Sequence, residues 1–293
     1  MLNIQALQKA KRAYTLQAFG LSILLAFSVS SAHAESVRQP SIAIVIDDLG
    51  HHLERGITLV DLPYPLTLSF LPARKYTTQL AKRANLFGKE VMLHAPMENS
   101  RQFNLGYGAL TSEMSKAQIQ GTLQASLATI PYMRGVNNHM GSVLTSNSIA
   151  MSWVMEVIAQ QPLYFLDSRT SAESVAANVA SQFNIPTLVR DVFLDHEQST
   201  EYLEQQFEKL ITIAEKNGTA IAIGHPHKVT IEFLERTLPT LAEQGITLAT
   251  ASGIWQIRNP TQAMFEHGAT TANASVAYAT VPENALSDTA SNN

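Results

Sequence analysis

Ile42-Ala-Ile-Val-Ile-Asp-Asp-Leu-Gly50 sets how the rest of the chain is read. Five apolar residues run together, end in two carboxylates and are followed two residues later by a glycine. A short unbroken apolar run of this kind predicts a strand buried on both faces. Similar runs follow at Leu66–Phe70, Glu90–Leu93, Gly135–Val136, Leu163–Leu166, Thr187–Phe193, Ala220–Ile223 and Thr247–Thr250. Helical periods lie between them. Ser115 and Gln118 form a capping box ahead of Ile119, Leu123, Leu127 and Ile130, which share one face. Val175, Val179 and Phe183 repeat the spacing, as do Leu203, Phe207, Leu210, Ile211 and Ala214, with Gly218 as the stop. A later helix around Phe233–Glu243 should break or restart at Pro239 and close at Gly245.

Strand and helix alternate about eight times, which predicts a parallel α/β fold. The count fits a single-domain, distorted (β/α) barrel of about seven to eight parallel strands. Periodicity alone fits an open doubly wound sheet equally well.

The 293 residues are 45% hydrophobic, carry a net charge of −4 and include no cysteine. Thiolate metal sites, disulfides and cysteine nucleophiles are excluded. No basic excess points to nucleic acid. Lys9, Lys11 and Arg12 precede an apolar stretch from Leu16 to Val29, and Ala32-His33-Ala34 has the form of a signal-peptidase site. The expected organisation is a signal peptide over 1–34, a linker over 35–40, the barrel domain over 41–257 and a flexible low-complexity tail over 258–293. Cleavage after Ala34 would deliver an exported protein, in the periplasm or cell envelope, with no stable membrane span.

In a parallel barrel, functional groups gather at the C-terminal ends of the strands. Here those ends are polar: Asp47-Asp48, His94 with Glu98 beyond it, Asn137-Asn138-His139, Asp167-Ser168-Arg169, Arg190-Asp191 with Asp195-His196, and Gly224-His225-Pro226-His227. Each alone has an ordinary reading. A single Asp after a strand is a turn or cap residue, Asp167 a cap, Arg169 a partner for Asp191 or Asp195, and His196 and His227 loop residues. His51, His52 and His267 are assigned to the solvent. Together, histidines and carboxylates from several strands converge on one divalent cation, and imidazole with carboxylate suits zinc or a similar first-row ion.

These stretches resemble the polysaccharide deacetylases and their divergent branch. The run to Gly50 resembles the first motif, and Gly88-Lys-Glu-Val-Met-Leu-His94 is similar to the strand bearing the first metal histidine. Gly135-Val-Asn-Asn-His-Met-Gly-Ser142, Phe165-Leu-Asp-Ser-Arg169 and Ile223-Gly-His-Pro-His227 resemble signatures of the divergent branch. The resemblance spans roughly Ser41 to Ser252. It implies a distorted barrel that removes N-acetyl groups from a sugar polymer. It also implies Asp47 as base, His225 as general acid, and Asp48 and His94 as metal ligands. Glu98 stands where the family has its second histidine and is a possible ligand, with His139 the candidate for the replacement. Asn137 stands where the family has an arginine. Asn137, Asn138, Asp167, Ser168, Arg169 and His227 remain for substrate or supporting contacts. Two rivals stand beside this reading. One is a catalytically inactive barrel that binds an envelope glycan or a protein partner. The other, weaker, is a metallophosphoesterase, whose Asp-x-His and Gly-Asp-x-x-Asp motifs are missing.

Overall fold

The computed structural model describes residues 39–265. The signal peptide, the linker up to residue 38 and the tail from residue 266 lie outside the described residues. Nine strands alternate with helices: β1 Ser41–Leu49, β2 Thr67–Phe70, β3 Glu90–Met97, β4 Met133–Met140, β5 Tyr164–Asp167, β6 Thr187–Val189, β7 Val192–Phe193, β8 Thr219–Gly224 and β9 Thr247–Ala249. Every pairing is parallel, and the order is β6-β5-β4-β3-β2-β1-β8-β7.

β6 and β7 are parts of the one extended stretch predicted over Thr187–Phe193. Its first part pairs with β5 and its second with β8. Asp191 N donates to Ile221 O at 2.9 Å, and Arg190 N to Asp167 O at 3.0 Å. One segment thus carries the ring from β5 to β8, and β8 lies beside β1. The fold is a distorted (β/α) barrel. An open doubly wound sheet is ruled out, because strands 1 to 6 neighbour one another in chain order and the order never reverses. β9 is short because it shares an edge of β1 with β2: it pairs with Ser41–Ala43, and β2 begins at Val45.

Side chains of a strand alternate between two faces, and the core divides accordingly. Ile42, Ile44 and Ile46 join the larger cluster with the surrounding helices. Ala43, Val45, Met92, Tyr164, Leu166, Leu188, Ile221 and Ile223 form a second cluster, the barrel lumen. Helix α8 (Ala251–Arg258) closes its lower end with Ala251, Ile254 and Trp255. There Thr67 Oγ1, Tyr164 Oη and Ser252 N all donate to the buried Glu90 Oε1, at 2.9, 2.8 and 3.1 Å.

The helical signals have local counterparts. Ser115 and Gln118 form a complete capping box before α3 (Lys116–Leu127). α6 (Thr200–Asn217) ends at Gly218 with φ +81°. α7 (Lys228–Thr237) gives way to a 3₁₀ turn over Leu238–Thr240 containing Pro239. Among the described residues no helix is long and apolar enough to cross a membrane. The expected runs at Glu90–Leu93 and Gly135–Val136 ended too early. Both strands continue through His94 and Asn137-Asn138-His139, whose polar groups are paired inside the barrel mouth.

Candidate functional site

Strand alternation places the site. The inward series Ala43, Val45 leads to Asp47; Glu90 and Met92 lead to His94; and Tyr164 and Leu166 lead to Ser168. Gly135 leads to Asn137 and His139, and Ile221 and Ile223 lead to His225. All these terminal groups gather at the C-terminal mouth.

Asp48 has the wrong parity for that mouth. Its φ of +58° corrects this. A left-handed turn at the strand end sends its carboxylate inward beside that of Asp47. Aspartate is among the few residues that tolerate this region. Met140 (φ +55°) at the end of β4 and Arg169 (φ +48°), two residues beyond β5, are also left-handed. Such strain gathers at functional sites.

Three atoms form a tight triangle. Asp48 Oδ1 is 2.9 Å from His139 Nδ1 and 3.2 Å from His94 Nε2, and the two imidazole nitrogens are 3.1 Å apart. Asp48 Oδ1 is buried and satisfied by no well-aligned hydrogen bond. Each of the three residues offers one ligand atom to this cluster. Ligands about 2.0–2.1 Å from a tetrahedral ion are separated by about 3.3 Å. The triangle matches one face of such a site, so these residues fit a divalent metal. Burial alone would push the Asp48 carboxyl up. The contacts and charges of His139 and His94 outweigh it and hold the carboxyl well below the usual range. Burial opposes a charged His94, but Asp47, Asp48 and Asn137 raise its pKa.

Asp47 is 2% exposed. Asn137 Nδ2 donates to its Oδ1 at 2.8 Å, and its Oδ2 lies 3.6 Å from His94 Nε2. His225 reaches the same group, with Nε2 3.9 Å from Asp48 Oδ2. Its Nδ1 is 2.9 Å from Asp195 Oδ1, while Asp195 Oδ2 accepts from His225 N at 2.6 Å and Thr230 Oγ1 at 2.8 Å. Burial works against the imidazolium, but Asp195 prevails, helped by Asp48 and Asp47, and the His225 pKa is raised to about 9. His227 lies beside it, ring centroids 5.8 Å apart, and burial lowers its pKa. Asp195, His225 and His227 form a second group with metal-ligand spacing.

The other expected residues divide. Ser168 Oγ accepts from Asn137 Nδ2 at 3.3 Å, and Ser168 N donates to Asn138 Oδ1 at 2.9 Å, so both Ser168 and Asn138 brace the mouth. Asp167 faces outward, where it accepts from Arg169 N, Ser174 Oγ and Ala177 N, as an ordinary turn and cap residue does. Arg169 is exposed and pairs with neither aspartate; Asp191 meets Arg258 instead. Glu98 is not brought to the triangle. Its Oε2 accepts from Ser112 N at 2.6 Å, tying down the loop after β3.

Sequence reasoning passed over Asp195 and Ser69. Asp195 stands at a strand end, but its 30-residue separation from His225 gives no cue to pairing. Ser69 carries one signal, a hydroxyl two residues beyond Thr67 on the same face of β2.

Residues 44–255 match the model of the divergent polysaccharide deacetylase family. The chain belongs to that family. The chain is also 35% identical over 231 residues to the uncharacterized protein YibQ of Escherichia coli, covering 79% of this chain and 72% of that one. It is 33% identical over 232 residues to an uncharacterized protein of Haemophilus influenzae, covering 79% and 82%. A crystal structure of an uncharacterized protein from Agrobacterium tumefaciens superposes with a TM-score of 0.72 at 26% identity, covering 74% of this chain and 89% of that one. The matched span of the deacetylase family holds all of Asp47, Asp48, His94, His139, Asp195 and His225.

Proposed function

We propose that this protein is an exported, metal-dependent hydrolase that removes N-acetyl groups from a cell-envelope glycan. One observation carries the reading. A ligand triangle of Asp48, His94 and His139 stands between two proton-transfer groups, Asp47 and His225, and each of these is held by its own partner.

Amide hydrolysis needs an activated water, a polarised carbonyl and a proton for the departing amine. Asp48, His94 and His139 would hold zinc or a similar divalent ion, which when bound would supply a lowered water pKa and stabilisation of oxyanion charge. Asp47, fixed by Asn137, takes the proton of the attacking water. The water oxygen bonds to the acyl carbon as the C–N bond breaks. His225, kept protonated by Asp195, donates to the leaving nitrogen, so acetate and a free amine are released. His227 is less suited to that donation, because burial favours its neutral form. Export rests on the basic n-region, the apolar stretch and the Ala32-His33-Ala34 site.

The test is metal content and acetate release from acetylated glycans, for the mature wild type, Asp48→Ala and His139→Ala. About one metal per wild-type chain, lost in both folded variants together with acetate release, is the expected outcome. A second reading, a barrel that binds glycan without turnover, is favoured by the asparagine at 137 in place of the arginine of the resembling family. Bound metal with no acetate release from any acetylated glycan would select it.

A further inference from the structure

Asn137 is completely buried on β4. Its amide uses every hydrogen-bonding valence it has. Nδ2 donates to Asp47 Oδ1 at 2.8 Å and to Ser168 Oγ at 3.3 Å. Oδ1 accepts from Ser69 Oγ at 2.7 Å and faces His94 Nδ1 at 2.8 Å.

These contacts fix one another in sequence. An ionised carboxylate can only accept. Asp47 therefore requires the NH₂ end of the amide, because a flipped amide would set oxygen against oxygen. With Nδ2 committed to Asp47, Oδ1 must face His94. An amide oxygen can only accept, so His94 must carry its proton on Nδ1. In the neutral imidazole that metal ligation requires, Nε2 is then the lone-pair nitrogen, facing Asp48 and His139.

We propose that Asn137 is a positioning residue that couples the base to the metal triangle: one end orients Asp47, and the other sets the His94 tautomer in which Nε2 is a metal donor. The part concerning Asp47 rests on the deacetylase reading. The part concerning His94 does not.

The test uses the mature chain with Asn137→Leu and Asn137→Asp. Leucine removes both ends of the bridge. Aspartate is nearly isosteric, keeps an acceptor for His94 and sets a second carboxylate against Asp47. Long-range ¹H–¹⁵N spectra of the metal-free proteins report the His94 tautomer, and competition with a chromogenic chelator reports zinc affinity. In wild type and Asn137→Asp, His94 should hold its proton on Nδ1 with similar zinc affinity. In Asn137→Leu the tautomers should mix, and zinc affinity should fall about 10–100-fold, the usual cost of losing a partner behind a metal ligand. Asn137→Asp should lower kcat at least about 100-fold with KM unchanged, the range of general base catalysis. An unaltered tautomer and zinc affinity in folded Asn137→Leu would overturn the proposal, as would wild-type kcat in Asn137→Asp. Should Asn137→Leu not fold, the tautomer and kcat of Asn137→Asp decide alone. If wild type releases no acetate, the deacetylase reading fails, while the spectra and zinc titrations still judge the His94 half.

Discussion

Asp195 holds His225 at two points, with one carboxylate oxygen 2.9 Å from Nδ1 and the other 2.6 Å from the backbone amide of the same residue. The ring cannot turn without losing its partner, and the imidazolium is stabilised up to about pH 9. As a proton donor, His225 is competent below that pKa, so kcat/KM should fall as pH rises through about 9. Asp195→Asn removes the charge and keeps the shape. The alkaline limb should then move down toward the ordinary histidine value of about 6.5, as a pH–rate profile would show. The linkage has a matching sign. A histidine whose folded pKa is raised stabilises the fold fully below about pH 6.5. That contribution is lost as pH climbs through about 9, and thermal melts across the window should record the loss.

The carboxylate of Glu98, a possible ligand by the family resemblance, accepts from Ser112 N instead. Glu98→Gln should therefore leave metal stoichiometry unchanged, while His139→Ala abolishes it. Elemental analysis of the two purified variants distinguishes them. Metal lost from folded Glu98→Gln would return the glutamate to the ligand set.

Gly135 lies against the ring of Tyr164 in the lumen, and a Cβ at that position would stand 2.6 Å from the ring's Cζ. The ring is fully buried and tied to Glu90, so it has little room to yield. Gly135→Ala should destabilise the domain by about 1–3 kcal/mol, the usual cost of overpacking. Chemical denaturation would measure it.

Glu90 Oε1 receives three donors at the lower end of the barrel, far along β3 from His94. Glu90→Leu strands two hydroxyls and a backbone amide and should cost about 3 kcal/mol. Glu90→Gln keeps an acceptor and should cost less. Zinc affinity of the folded variants should match wild type, since the change is confined to the end opposite the mouth. Weakened zinc binding in folded Glu90→Gln would contradict that separation.

The barrel was legible because its strands are unbroken apolar runs, and burial on both faces leaves few other readings for Ile42–Ile46 or Ala220–Ile223. Strand ends were harder to place. Asn137-Asn138-His139 looks like a loop until the partners of its side chains are known, and those lie 30 to 90 residues away. Residue type and strand position pointed to a cluster of histidines and carboxylates, and the family resemblance singled out Asp48, His94 and His139 within it. The Asp195–His225 pair could not be found this way, since nothing local to Asp195 distinguishes it from the outward-facing Asp167. Parity separates the two only when the register is known. Asp167 continues the face of Phe165, and His225 continues that of Ile223.

A strand normally offers every second residue to a given side, so adjacent residues cannot both serve one opening. Asp47 and Asp48 do so only because the second adopts a backbone conformation that costs most residues about 1 kcal/mol or more. Few amino acids accept that conformation cheaply: glycine, asparagine and aspartate. If the barrel needed only to fold, drift at position 48 would favour glycine, which is unstrained there and brings no buried charge. The present occupant is the one member of that short list that supplies an anionic ligand. A lineage that had abandoned the metal would be expected to show glycine or asparagine at 48 on an otherwise intact barrel, which makes this position a compact marker for separating working members of the family from retired ones.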